Sequence, residues 1–105
     1  MLGGMIRATF SYLAAPSARF DFTYYVERHI PLARRLLEPT RVEVDRCVSG
    51  EERGSAPRYI CVAHLYFATL EDYYCGLESH GDELGRDVAN YTDTELEILV
   101  SEIVA

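Results

Sequence analysis

The chain has 105 residues and a formal net charge of −7, from 10 Lys plus Arg against 17 Asp plus Glu, a balance that makes nucleic acid a poor partner. Its composition, 49% apolar and 26% charged, is that of a globular protein, and no uncharged run is long enough to span a bilayer. At this length the chain is expected to form one domain, residues 5–105, able to bury about two thirds of its unfolded surface without metals or disulfides.

From Met5 to Leu13 the residues alternate, with Ile6, Ala8, Phe10 and Tyr12 on one face and Arg7, Thr9 and Ser11 on the other, which predicts a strand. The turn residues of AAPSAR follow. Asp21 then stands where an N-cap belongs, and Phe20 and Tyr25 have the spacing of a hydrophobic staple. The first helix should bury a stripe of Phe22, Tyr25, Val26, His29, Leu32, Ala33 and Leu36, leaving Glu27, Arg28, Arg34 and Arg35 elsewhere. Pro31 falls inside this helix, two residues after His29. In a regular helix it would deprive the Glu27 carbonyl of its partner at a cost of roughly 3 kcal/mol, so the segment is either a packing feature or the wall of a pocket.

RVEVDRCVSG reads as a second strand, the polar stretch GEERGSAP as an open hairpin loop and RYICVAHLYF as a third strand. Thr69 and Asp72 form a capping pair. Tyr73, Tyr74, Leu77, Leu84 and Val88 mark a second helix that ANYTDT terminates, and LEILVSEIVA is the last strand. The order βαββαβ predicts an α+β, ferredoxin-like fold, a four-stranded antiparallel sheet with two helices on one face. Strand three is apolar on both faces, Ile60, Val62 and Tyr66 on one and Cys61, Ala63, Leu65 and Phe67 on the other, and strand four is similarly apolar. A second copy packed sheet to sheet is the most economical cover, so a homodimer is expected.

Cys47, Cys61 and Cys75 form no CxxC or CxxH pair and are expected to be buried free thiols. The opening MLGGMIRATF lacks the basic flank and long apolar core of a secretory signal, which points to the cytoplasm. The glycine pair Gly3-Gly4 precedes the first strand, and no phosphate-binding glycine loop or nucleophile elbow appears. His29, His64 and His80 make no metal-binding spacing, so neither metal nor cofactor is expected.

His29 and Tyr25, four residues apart, share a helix face, and an imidazole there suits general acid/base chemistry. The alternative is a structural histidine bonded to the carbonyl that Pro31 leaves free. His64 and Tyr66 share a strand face, but alternation does not say whether that face meets the helices. His80 reads as a surface residue. Of eight tyrosines, Tyr12, Tyr59, Tyr66 and Tyr91 lie in or beside sheet elements, where phenols can orient a planar oxygenated ligand. Asn90-Tyr91-Thr92-Asp93 is either a pocket rim or an Asx-type turn.

The paired aromatic Tyr24-Tyr25, then VER and His29-Ile30-Pro31-Leu32, resembles the signature of the EthD-like family of dimeric α+β barrel proteins. The resemblance continues through HLYFATLEDYY and ANYTDTELEI and so covers nearly the whole chain. It implies a homodimer whose two sheets form a barrel, with a pocket in each subunit between helix and sheet that includes His29. The family takes its name from a protein of a bacterial ether-degradation operon. Related barrels include lactone isomerases, cofactor-free monooxygenases, polyketide cyclases and decarboxylases, and some bind haem. The expected function is therefore cofactor-independent acid/base chemistry, in catabolism or secondary metabolism, on a small oxygenated molecule, aromatic, lactone-like or polyketide-like. In it His29 and Tyr25 are catalytic, His29 as the general acid/base and Tyr25 orienting it, and Tyr12, Tyr59, His64, Tyr66 and Tyr91 bind substrate. The rival expectations are a non-catalytic ligand-binding accessory to an oxygenase pathway and a haem-handling barrel.

Overall fold

The computed structural model describes residues 4–105, so Met1–Gly3, with the first glycine of the pair, lie outside the described residues. Its elements are β1 (Ile6–Leu13), α1 (Phe22–Tyr24), a π-helical turn (Tyr25–His29), α2 (Ile30–Leu37), β2 (Arg41–Arg46), β3 (Tyr59–Phe67), α3 (Leu70–Asp87), a 3-10 turn (Val88–Asn90) and β4 (Leu96–Glu102). The strands form one antiparallel sheet in the order β2-β3-β1-β4, with the helices packed on one face, as the ferredoxin-like pattern predicted.

Alternation determines which sheet residues meet the helices. Ile6, Ala8 and Tyr12 of β1 and Cys61, Ala63, Leu65 and Phe67 of β3 are buried there. Ala8, Cys61 and Ala63 keep the centre of this face low, which leaves room for the rings of Tyr12, Tyr25, Phe67 and Tyr73 above it. Among the cysteines, Cys61 is buried, Cys47 half-buried and Cys75 exposed, so the expectation of three buried thiols fails at Cys75, which points outward from α3.

α1, the π turn and α2 form one continuous helical rod with right-handed backbone angles at each junction. Its start follows the predicted chemistry. The Asp21 side chain accepts from Tyr24 N at 3.0 Å, and the Phe20 and Tyr25 rings pack with centroids 5.1 Å apart. The interior differs from the expected regular helix. Ile30 N–H bonds to the carbonyl of Tyr25, five residues back, so the π turn inserts one extra residue and advances the helical phase by one position. The buried stripe therefore runs Tyr25, His29, Ile30, Ala33, Leu37, while Val26, expected inside, is 50% exposed. Pro31 lies just after this turn, near the start of α2, where the regular ladder is already interrupted. α3 begins as predicted, with Thr69 Oγ1 accepting from Asp72 N at 3.1 Å.

The opposite sheet face is more polar than the sequence of β3 suggested. Thr9 Oγ1 meets His64 Nδ1 at 3.3 Å, His64 Nε2 meets Asp45 Oδ2 at 3.1 Å, and Tyr66 OH donates to Glu43 Oε1 at 2.7 Å. A strand's alternation reports only its own residues, whereas the partners here come from β1 and β2. Apolar surface persists at Leu99 of β4, which is 66% exposed.

Candidate functional site

Between the rod, α3 and the sheet lies a cavity of about 140 Å³. Its wall is apolar through Phe10, Ile30, Leu65, Leu77, Leu84, Val88, Leu96 and Ile98, and its polar side chains are Tyr12, Tyr25, His29 and Tyr91. His29 is the last residue of the π turn and only 7% exposed. The extra residue of that turn keeps both His29 and Ile30 on the inward side, which a regular helix with the expected stripe does not do.

His29 Nδ1 lies 2.8 Å from Oδ2 of Asp87, the last residue of α3. A carboxylate only accepts, so Nδ1 carries the proton and Nε2, on the other side of the ring, is the bare acceptor. The Asp87 carboxylate is itself held: Tyr24 OH donates to Oδ1 at 2.7 Å and Asn90 Nδ2 at 3.0 Å. Burial alone would raise the Asp87 carboxyl, but the hydrogen bonds from Tyr24, Asn90 and His29 outweigh it and hold the group below its ordinary value. For His29, burial dominates and lowers the imidazole pKa, with Asp87 opposing. The ring is therefore neutral at pH 7, with a carboxylate placed to stabilise it once it takes up a proton.

Nε2 faces the Tyr91 hydroxyl at 3.4 Å, and that hydroxyl lies 2.7 Å from the Tyr12 hydroxyl. With Nε2 unprotonated, the donor order is Tyr12 to Tyr91 to His29. The contact at Nε2 is long for a hydrogen bond, so its lone pair is only weakly engaged. Burial raises the phenols of Tyr12, Tyr25 and Tyr91 above the usual tyrosine value, Tyr25 and Tyr91 most, which keeps them protonated donors. Tyr25 stacks on the imidazole, centroids 5.3 Å apart and planes 15° off parallel, and Tyr91 packs at 4.6 Å. The arrangement places an unprotonated imidazole nitrogen, a carboxylate that orients the ring, and three neutral phenols at the polar end of an apolar cavity.

Of the residues singled out from the sequence, the fold brings His29, Tyr25, Tyr12 and Tyr91 together. It does not bring Tyr59, His64 or Tyr66 to them. His64 and Tyr66 project from the opposite sheet face, because their neighbours 61, 63, 65 and 67 are the ones the helices cover. Tyr59 OH donates to Glu97 Oε1 at 2.9 Å, and Glu97 pairs with Ser11 on that same far side. The hydrogen bond that orients His29 comes from Asp87 and not from Tyr25, and the ring bonds Asp87 and Tyr91 instead of the Glu27 carbonyl. The segment 90–93 serves the site: Tyr91 is fully buried, Asn90 bonds Asp87, and Thr92 Oγ1 donates to the Arg19 carbonyl at 2.6 Å. His80 is half-buried beside a separate groove that Asp72 and Cys75 also line.

Asp87 is the member of the candidate site that the sequence did not single out. Two signals were present: it follows Leu84 by three and precedes Val88 on the apolar stripe, and it is a carboxylate in the last turn of a helix, where the dipole disfavours negative charge. Among the described residues no group of three or more His, Cys, Asp or Glu is placed to hold a metal ion, and no helix is long and apolar enough to cross a membrane.

Residues 17–95 match the family model described as EthD domain. An EthD-like protein from Ralstonia eutropha JMP134 is 30% identical, with a TM-score of 0.92 over 98% of this chain and 95% of that one. An ethyl tert-butyl ether D (EthD) family protein from Bacillus halodurans C-125 is 18% identical, with a TM-score of 0.74 over 95% and 99%. A dimeric protein of ferredoxin-like fold from Bacteroides fragilis NCTC 9343 shares 11% identity, with a TM-score of 0.61 over 98% and 100%. No curated protein matches the sequence.

Proposed function

Because the chain belongs to the EthD domain family, we propose that it is a cofactor-independent enzyme that moves a proton on a small oxygenated molecule, with residues 5–105 as one domain acting in the cytoplasm as a homodimer. The observation that carries the reading is the 2.8 Å pair between His29 Nδ1 and Asp87, which leaves Nε2 as a base toward the cavity. A carbonyl substrate would lie with its α C–H at Nε2 and its oxygen toward the Tyr91 hydroxyl. Nε2 takes the proton, the C–H electron pair becomes the enolate, and the phenols donate to the enolate oxygen. Returning the proton from the imidazolium to another atom completes an isomerisation or cyclisation with no net redox change. Asp87 stabilises the imidazolium in between, as a neighbouring anion does.

The homodimer is supported by Leu99, exposed on the open sheet face, and by the dimeric state of the Bacteroides fragilis protein of like fold. The test of function is a turnover screen over lactones, β-keto acids and phenolic quinone precursors, run in parallel on the wild type and His29→Phe. Consumption by the wild type that the variant loses supports the enzyme. Binding without consumption by either assigns the cavity to a carrier.

A further inference from the structure

α3 carries three glycines in its interior, and helical glycine is destabilising relative to alanine. Gly76 has a packing reason, since a Cβ there would meet Leu37 Cδ2 at 2.9 Å. Gly81 and Gly85 have none: beyond its own stretch of helix, a Cβ at either would meet nothing within 4 Å. Both line the cavity, Gly81 half-buried and Gly85 exposed, and across the opening Ile98 of β4 is 50% exposed. The missing side chains thus leave a gap at the rim of the cavity that contains His29, a side chain more than nine-tenths buried whose Nε2 has only the 3.4 Å contact to Tyr91.

The lining also limits what can enter. It contains no arginine, lysine, aspartate or glutamate, so a carboxylate or phosphate in the cavity would lose its water without gaining a cation. An apolar cavity of about 150 Å³ takes up benzene, so the 140 Å³ here fits one six-membered ring. Its polar end offers an unprotonated nitrogen beside phenol donors, which matches a ligand group that both donates and accepts.

We infer that the gap over Gly81 and Gly85 is the mouth of the site, and that it admits an uncharged single-ring molecule that presents to His29 Nε2 either its one hydroxyl or the α C–H of an enolisable carbonyl whose oxygen faces the Tyr91 hydroxyl. The inference rests on the acid/base reading of His29 and adds to it the charge and size of the substrate and the two residues that set its entry.

The probes are phenol and benzoate, the same ring uncharged and charged, titrated at pH 7 into the full-length protein with ¹⁵N-labelled histidine. Phenol should move the His29 Nε2 resonance and benzoate should not at the same concentration. Gly81→Leu and Gly85→Leu should each weaken phenol binding at least tenfold. Gly81→Ala and Gly85→Ala should raise the melting temperature by several degrees, since no atom stands in the way of a Cβ, and this shows that the leucine variants lose binding through the mouth and not through the fold. Equal responses to phenol and benzoate overturn the charge selection while leaving His29 as the base. Leucine variants that bind phenol like the wild type overturn the mouth. A His29 ring that answers neither probe removes the acid/base reading and this inference together.

Discussion

Asp87 Oδ2 and His29 Nδ1 stand 2.8 Å apart across the interface of α3 and the helical rod, joining residues 58 positions apart in the chain. The contact determines which nitrogen of the ring is free and where that nitrogen points, and so makes the cavity's polar end basic.

Asp87→Asn should cut turnover by roughly 10² to 10⁴, the range of general-base contributions, because a neutral amide neither stabilises an imidazolium nor enforces the Nδ1–H tautomer. Asp87 acts through His29, so the deciding readout is the ring itself. Asp87 raises the His29 pKa against the effect of burial, so the variant's imidazole should titrate at lower pH than the wild type's, with ¹⁵N shifts moving toward mixed tautomers. A ring with unchanged pKa and tautomer would reduce Asp87 to a structural tie.

His29→Phe should separate chemistry from packing. A phenyl ring fills the space between Tyr25 and Tyr91, and the carboxylate it leaves still accepts from Tyr24 and Asn90. The stability loss expected from losing the bond to the Asp87 carboxylate and the long contact to Tyr91 is about 2 kcal/mol, a drop of several degrees in Tm, while turnover falls by roughly 10² to 10⁴. A loss of about 3 kcal/mol or more in thermal denaturation would mean that the ring is chiefly a structural element.

Acidification should lower both activity and stability. The folded His29 pKa lies below its ordinary 6.5 because of burial, so between the two values the unfolded chain binds more protons and stability rises with pH. The stabilising difference is present above pH 6.5 and is lost as pH falls toward the folded value. Asp87, held below its ordinary 3.8 by its hydrogen bonds, adds a second loss of the same sign at lower pH. Activity should show a single acid limb below pH 6.5 and a plateau at pH 7, measurable as kcat/KM against pH. A limb centred above pH 6.5 would contradict the neutral, buried base.

Sedimentation equilibrium at micromolar concentration should return twice the 11.9 kDa chain mass. Leu99, 66% exposed and paired in register with Thr9, lies on the face proposed to pack against the second copy. Leu99→Arg should shift the equilibrium toward monomer without lowering monomer helicity, since the side chain is away from the cavity. A wild type that sediments as a monomer would overturn the sheet-to-sheet pairing.

Local periodicity and capping chemistry are legible along the chain. Alternation in β1 named Ile6, Ala8 and Tyr12 as one face, Asp21 with Phe20 and Tyr25 specified the start of the rod, and Thr69 with Asp72 the start of α3. These hold because each depends on residues within one or two turns of one another. The remaining features follow from packing between distant elements. A strand's period of two separates its faces but does not say which one the helices cover, so His64 and Tyr66 shared a face with no address until the packing placed them away from His29. The π turn, one inserted residue with no strong sequence mark, advanced the rod's phase and exchanged Val26 and Leu36 for Ile30 and Leu37 in the core. Asp87 entered the site only because α3 packs on the rod with its last turn against the π turn, and a hydrogen bond between such distant residues is a product of packing that no local pattern encodes.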